Sequence, residues 1–159
     1  MKINKYRIEV RGRGRLPMRV REETVDLDDH SCESPRDIAR MVSSMYHLPS
    51  MPEEHVIVMC LDTRGKPIGT FEVTHGARSS APVTASAIFR RVLVSGADHF
   101  ILIHNHPSGS VTPSKDDEET CRRLQEAAKV VDLVMIDFIV TGSNGRYISF
   151  LEEGKMRCG

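Results

Sequence analysis

The sequence predicts an α/β fold in which helices flank a mixed, largely antiparallel sheet. Short apolar runs that suit buried strands alternate with segments whose apolar residues recur at helical spacing. Turns that contain glycine join several of these runs directly, which favours hairpins within the sheet. The chain has 159 residues, of which 40% are hydrophobic and 28% charged. This size and this balance suit one globular core.

The predicted strands begin with an exposed hairpin. Tyr6–Val10 alternates as a strand, Arg11–Arg15 forms a turn, and Arg19–Val25 returns as the second strand. The strands of the core are predicted at His55–Leu61, Pro67–Thr74, Phe100–Ile103, within Val131–Val140, and at Arg146–Leu151. A loop of small and polar residues is expected at His75–Ala81.

Three helices are predicted from their capping residues and apolar spacing. Ser34, followed by a proline, begins the first helix, which runs to about His47. Thr84 caps the second helix, and Gly96 ends it. Ser114 begins the third.

The charge of the whole chain gives no reason to expect nucleic acid, because 22 basic and 22 acidic residues cancel. The distribution is uneven, however. The segment Lys2–Arg21 holds eight basic residues, which only Glu9 opposes. Such a segment is more often a solvated hairpin, but it keeps nucleic acid open as a partner.

The cysteines and apolar runs predict a cytoplasmic protein without a membrane partner. None of the four cysteines is paired as C-x-x-C, which favours free thiols in a reducing compartment. The first residues lack the apolar stretch of a signal peptide. No apolar run is long enough to span a bilayer.

The most informative residues follow the predicted strand Phe100–Ile103. His104 and His106 are two residues apart, and Ser114 and Asp117 lie at the start of the next predicted helix. Residues two apart in a strand face the same side, so both imidazoles are expected to converge. Two histidines, one aspartate and an open fourth position are typical of a catalytic zinc site, although other divalent ions suit the same ligands. We therefore predict a metal site, with Zn²⁺ as its ion, at His104, His106 and Asp117.

A structural role for Ser114 and Asp117 competes with this interpretation. A serine followed three residues later by an acidic residue can satisfy the free N–H groups of a helix start. These two residues alone favour capping. The histidine pair directly after a buried strand favours the metal site instead.

The motif resembles a known family of metalloenzymes. The spacing His-x-His, seven residues, Ser, two residues, Asp is that of the JAMM (JAB1/MPN/Mov34) motif, and the string from His104 to Gly109 resembles its RadC branch. Leu61-Asp62-Thr63 before a hairpin and the final Gly145–Ser149 are similar to RadC proteins as well. The resemblance implies a cytidine-deaminase-like (JAB/MPN) fold, a mixed sheet flanked by helices, with one zinc.

The resemblance covers about residues 54 to 152. It divides the chain into an N-terminal extension, residues 1–50, and a RadC-like JAB/MPN domain, residues 51–154. The extension contains the basic hairpin and the first helix and is expected to pack on the core.

The resemblance also implies an activity and roles for individual residues. It implies a zinc-dependent hydrolase of peptide or isopeptide bonds, with His104, His106 and Asp117 as the metal ligands and a peptide or protein as the substrate. Glu72, in the predicted returning strand, is the best match for the glutamate that acts as general acid and base. Ser114 matches the serine that stabilises the oxyanion.

Two other functions stay open. The first is a DNA-associated protein with a repair or nuclease role, which the basic segment Lys2–Arg21 and the family's historical repair label support. The letters His-Asn-His are not an HNH nuclease motif, whose residues are spread over a longer ββα element. The second is a zinc-stabilised interaction module without catalysis, against which the intact ligand set argues.

Overall fold

The computed structural model describes residues 1–26, 32–76 and 83–157, and these residues form one seven-stranded sheet with three α-helices. The strands are β1 (Lys2–Arg11), β2 (Leu16–Asp26), β3 (Glu54–Leu61), β4 (Pro67–Gly76), β5 (His99–Asn105), β6 (Val134–Thr141) and β7 (Tyr147–Ser149). The helices are α1 (Pro35–Met45), α2 (Ala85–Ser95) and α3 (Lys115–Val130), with short 3-10 helices at Leu48–Ser50 and Ser143–Gly145.

The strand order across the sheet is β2-β1-β4-β3-β5-β6-β7. The pairs β1–β4 and β5–β6 are parallel, and the other four pairs are antiparallel. The predicted α/β fold with a mixed, largely antiparallel sheet is therefore confirmed.

The central strands are buried on both faces, which explains why their sequences read as continuous apolar runs. Side chains alternate between the two faces of a strand. On one face Val58 and Leu102 belong to a core cluster that includes residues of α2 and α3. On the other face Ile57 and Ile103 belong to a second cluster that includes residues of α1. The sheet thus separates an α2/α3 face from an α1 face.

The predicted capping residues begin and end the helices as expected. Ser34 and Thr84 are the N-caps of α1 and α2, and each hydroxyl accepts a backbone N–H from three residues later. Gly96 ends α2 with a φ of 71°, in the left-handed region that glycine adopts at helix ends. Ser114 is the N-cap of α3.

The structure differs from the sequence prediction at several strand ends, and β1, β2 and β5 each begin earlier and end later than predicted. Strand β4 continues through Gly76, so the predicted loop His75–Ala81 begins later, and its residues 77–81 lie outside the described residues. Strand β7 is shorter than the predicted Arg146–Leu151, because the N–H of Leu151 donates to the carboxylate of Asp137 rather than to a strand.

The thiols of Cys32, Cys60 and Cys121 are free, and Cys158 lies outside the described residues. Among the described residues, no helix is long and apolar enough to cross a bilayer.

The segment before residue 51 forms one edge of the sheet and covers one of its faces. β1 pairs with β4 at Lys5 and Tyr6, and α1 covers one face of the central strands. The predicted boundary between residues 50 and 51 stays a prediction.

Candidate metal centre

The two histidines of the motif lie at the carboxyl end of β5, on the α2/α3 face. His104 is the partner of Val56 on β3, and its ring lies 5.2 Å from the ring of Phe138. Val56 and Phe138 both belong to the core cluster on that face. His106 follows the end of β5, and its backbone N–H donates to the carbonyl of Thr141 at 3.2 Å. The strand end therefore fixes the backbone that carries both imidazoles.

Helix α3 brings Asp117 against both imidazoles. Nε2 of His104 lies 3.4 Å from Oδ1 of Asp117, and Nε2 of His106 lies 3.3 Å from Oδ2. One ligand atom from each of the three residues lies within 4.8 Å of the others. The ligand set predicted from the sequence is thus assembled in space.

The burial of His104 and its unsatisfied ring nitrogen are the properties expected of a metal ligand. The side chain is 3% exposed, and its Nε2 is buried without a hydrogen-bond partner among the described residues. A buried polar atom without a partner costs free energy, so such atoms call for an explanation. A cation bound by this nitrogen, by His106 and by Asp117 would satisfy it, and three such ligands leave a fourth position open.

Both imidazoles are oriented through their second ring nitrogen. Nδ1 of His104 lies 3.0 Å from Oε1 of Glu54, and Nδ1 of His106 lies 3.1 Å from the carbonyl of Ser110. A carboxylate or carbonyl at Nδ1 accepts a hydrogen bond from the N–H of that nitrogen and leaves the Nε2 lone pair free for a metal. The arrangement therefore presents both Nε2 atoms to the same point.

Ser114 orients the carboxylate of Asp117. The Ser114 hydroxyl and backbone N–H both donate to Oδ2 of Asp117, at 2.7 and 2.6 Å, while the N–H of Asp117 donates to the hydroxyl at 3.1 Å. This reciprocal pair is a capping box. Because Oδ2 is engaged by Ser114, Oδ1 is the oxygen that is free to bind a cation.

The charges of the cluster keep its carboxylates ionised. Burial alone would raise the pKa of Asp117, but the contact with His106, the electrostatic interaction with His104 and the hydrogen bonds from Ser114 lower that pKa well below its usual range. The hydrogen bond to His104 lowers the pKa of Glu54 despite its partial burial. The contact with Asp117 raises the pKa of His106. Two carboxylates beside two imidazoles make a site that favours a divalent cation.

The structure does not bring Glu72 to this cluster. Glu72 is the partner of Ile57, which belongs to the cluster on the α1 face, and its Oε1 lies 2.5 Å from Nδ1 of His55. Thr70, two residues earlier, contacts the hydroxyl of Tyr46 just after α1. Glu72 and His104 therefore lie on opposite faces of the sheet.

Glu54 is the glutamate that lies at this cluster, and the sequence analysis did not single it out. It lies two residues before Val56, the partner of His104, and its carboxylate contacts His104 directly. Its side chain is 28% exposed, so water reaches it. The signal in the sequence was the alternation of β3, which places Glu54 and Val56 on one face.

Asn105, between the two histidines, holds the start of β3 in place. Its amide oxygen accepts the N–H of His55 at 2.7 Å, and its amide nitrogen donates to the carbonyl of Glu53 at 3.1 Å. These bonds flank Glu54 on both sides. Asn105 therefore sets the position of Glu54 beside His104.

The loop that follows His106 is held in place by the turn that contains Ser143. The carbonyl of Gly109 accepts the N–H of Ser143 at 3.2 Å and the guanidinium of Arg146 at 2.9 Å. Gly109 has a φ of +73°, and a Cβ there would lie 2.8 Å from the Ser143 hydroxyl. Glycine at this position allows the loop to approach the turn closely.

The chain matches a family model described as a RadC-like JAB domain over residues 32–155. It is 34% identical to a UPF0758 protein of Desulfitobacterium hafniense over 121 residues. The aligned region covers 76% of this chain and 52% of the relative. It is 36% identical to a UPF0758 protein of Clostridium perfringens over 119 residues, and this aligned region covers 75% of this chain and 51% of the relative. The chain thus spans about half the length of the curated relatives it matches.

Proposed function

Because this chain belongs to the RadC-like JAB domain family and its motif residues converge in space, we propose that it is a zinc-dependent hydrolase of peptide or isopeptide bonds. One observation carries the proposal. The buried Nε2 of His104 has no hydrogen-bond partner among the described residues and points into the space that it shares with His106 and Asp117.

In the proposed site, His104, His106 and Asp117 hold the ion. Zinc in such a site supplies Lewis acidity, which lowers the pKa of a water molecule and polarises a carbonyl group. Asp117 would offer Oδ1 to the ion, because Ser114 engages Oδ2. The two imidazoles bind through Nε2, because Glu54 and the Ser110 carbonyl occupy their Nδ1 atoms.

We assign to Glu54 the proton-transfer role that the family resemblance gives to an upstream glutamate. Glu54 contacts a ligand histidine, is reached by solvent, and has a pKa lowered by that contact, so it is ionised and able to accept a proton. A carboxylate in this role takes a proton from the attacking water and passes it to the leaving amine. The assignment replaces Glu72, whose carboxylate lies on the other face of the sheet.

Ser114 has two proposed functions in this site. Its contacts make it the residue that orients Asp117 and caps α3. The family resemblance adds stabilisation of the developing oxyanion, which needs a hydroxyl donor aimed at the reacting carbonyl. The first function explains why the residue stands three before the ligand.

The proposal is tested by Glu54→Gln with Glu53→Gln as the matched control. Glu53 is the exposed neighbour of Glu54 in the same chain segment. The readouts are the zinc content of each purified protein and its cleavage of a library of quenched fluorescent peptides and isopeptides.

Glutamine keeps an oxygen that accepts the hydrogen bond from the N–H at His104 Nδ1, but it cannot take up a proton itself. We expect Glu54→Gln to retain zinc and to lose cleavage by about 10²- to 10⁴-fold, the usual contribution of general acid–base catalysis. Glu53→Gln should match the wild type. Unchanged cleavage in Glu54→Gln would contradict the role assigned to Glu54, and a wild type that binds zinc but cleaves nothing would favour the non-catalytic module.

A further inference from the structure

The outer end of the hairpin formed by β1 and β2 carries only positive charges. The segment 10–21, which we call the hairpin arm, contains five arginines and no acidic residue. The arginines are Arg11, Arg13, Arg15, Arg19 and Arg21. The arm lies outside residues 32–155, which the family model matches, so a function of the arm is additional to the one proposed for the metal centre.

The arm lies beyond the part of β1 that pairs with β4. The register of β1 with β4 covers Lys5 and Tyr6, and the ladder continues from there with β2 alone. Each residue from 10 to 19 is exposed. The Arg19 guanidinium ties the arm to the body by donating to the carbonyl of Ser95 at 3.1 Å, and β2 also contacts α2.

Several charges of the arm are not neutralised by the protein itself. Arg11 pairs with Glu9 at the base of the arm. Arg13, Arg15 and Arg21, by contrast, form no ion pair with any of the residues in the described ranges 1–26, 32–76 and 83–157. Three guanidinium groups are therefore available to an anionic partner.

The rest of the chain has the opposite charge. Residues 22–159 contain 14 basic and 21 acidic residues, so the arm is a positive projection on a negative body. A polyanion would be attracted to the arm and repelled by the body. The contact should therefore be confined to the arm.

We propose that the hairpin arm binds the backbone phosphates of duplex DNA. Arginine presents a planar fork of donors that matches phosphate oxygens in pairs, and all five cations of the arm are arginine. A two-stranded β-ribbon has the width that the major groove of B-DNA admits. The arm contains no aromatic residue on which unpaired bases could stack, which favours a duplex over a single strand.

The apolar residues of the arm are arranged in a way that does not suit a membrane surface. Leu16 is the partner of Arg11, Met18 the partner of Glu9, and Val10 the partner of Pro17. Strand alternation places Val10 on the face opposite to Leu16 and Met18. A membrane-binding element gathers its apolar residues on one face and its cations on the other.

The test measures the binding of a labelled DNA duplex of about 20 base pairs by fluorescence anisotropy, between about 50 and about 200 mM salt, where phosphate contacts weaken steeply. The arm variant is Arg13→Gln/Arg15→Gln/Arg21→Gln. Glutamine keeps polar side chains at exposed positions and adds no Cβ branch at Arg15, whose φ is 50°. The matched control is Arg36→Gln/Lys66→Gln/Lys129→Gln, which removes three exposed cations elsewhere.

We expect wild type and control to bind the duplex with the same salt dependence. The arm variant should bind at least about tenfold more weakly, with the slope of log K against log salt reduced by about 2.7, or about 0.9 for each lost phosphate contact. Absence of binding at low salt, equal weakening in both variants, or tighter binding to phosphatidylserine vesicles than to the duplex would each overturn the proposal. Because the readout is DNA binding, a failure of the hydrolase proposal leaves this result unaffected.

Discussion

Helices α1 and α3 begin with the same short motif on opposite faces of the sheet. Ser34 and Asp37 cap α1, and Ser114 and Asp117 cap α3, with the serine hydroxyl contacting the aspartate carboxylate at 2.5 Å and 2.7 Å. The difference lies in what each aspartate meets. Within the part of the chain that the structure describes, only Asp117 lies against two imidazoles, at 3.4 and 3.3 Å.

This comparison shows that a Ser-x-x-Asp helix start is not by itself a sign of a metal site. The α1 cap is a structural feature of the helix. The α3 cap has the same structural role, and the end of β5 adds the two histidines that turn its aspartate into a candidate ligand. The α3 cap also orients the ligand, because Ser114 engages one carboxylate oxygen and leaves the other free.

Replacing each of the two aspartates in turn should give the largest difference in zinc content. Asp117→Asn removes a charged ligand and should abolish stoichiometric zinc in the purified protein, since an amide oxygen is a poor zinc ligand beside two imidazoles. Asp37→Asn should keep the wild-type zinc content. Elemental analysis of both proteins checks this, and equal zinc content would mean that the two caps do not differ as proposed.

Glu54 allows the orientation of His104 to be separated from proton transfer. Glu54→Ala removes the acceptor at Nδ1 of His104 and should weaken zinc binding by about 10- to 100-fold, as expected for the loss of a residue that orients a ligand. Glu54→Gln should leave zinc binding near the wild-type value. Competition titration with a chromophoric chelator measures both, and identical affinities would show that Glu54 does not orient His104.

The two capping serines should differ in metal binding but not in stability. Ser34→Ala and Ser114→Ala should each lower the free energy of unfolding of the metal-free protein by about 1 kcal/mol, the usual value of an N-cap. Only Ser114→Ala should weaken zinc binding as well, by about tenfold, because Asp117 loses a hydrogen bond that orients it. Urea denaturation with and without zinc measures both effects.

Glu72→Gln should have the smallest effect on the reaction. Its carboxylate lies on the α1 face beside His55, so cleavage and zinc content should stay within about twofold of the wild type. A loss of cleavage as large as that expected for Glu54→Gln would instead restore Glu72 as the acid–base residue. Parallel assays of the two variants decide between the glutamates.

Much of the fold could be predicted because local chemistry determines it. Thr84 and Gly96 bound α2 by the capping preferences of hydroxyl groups and glycine. The apolar run His55–Leu61 could be assigned to a strand from its length and composition alone. The three candidate ligands could be found because their positions depend on one strand end and the next helix start, which the spacing of the motif records.

The choice between Glu54 and Glu72 could not be made in the same way. It depends on which strands are neighbours and on their register, and neither is a local property of the sequence. The pairing of Val56 with His104 places Glu54 at the site. A register shift between Val56 and Ile57 then pairs Ile57 with Glu72 and Val56 with Thr74. One extra residue in a strand changes the pairing on either side of it, and the sequence carries no clear sign of this irregularity.

The central claim is that the imidazoles of His104 and His106 bind a zinc ion together with Asp117. The most direct measurement is the zinc content and zinc affinity of His104→Ala/His106→Ala beside the wild type, with His99→Ala as the control from the other end of β5. We predict one tightly bound zinc per chain in the wild type and in the control, and none in the double variant. Equal zinc content in all three proteins would contradict the claim.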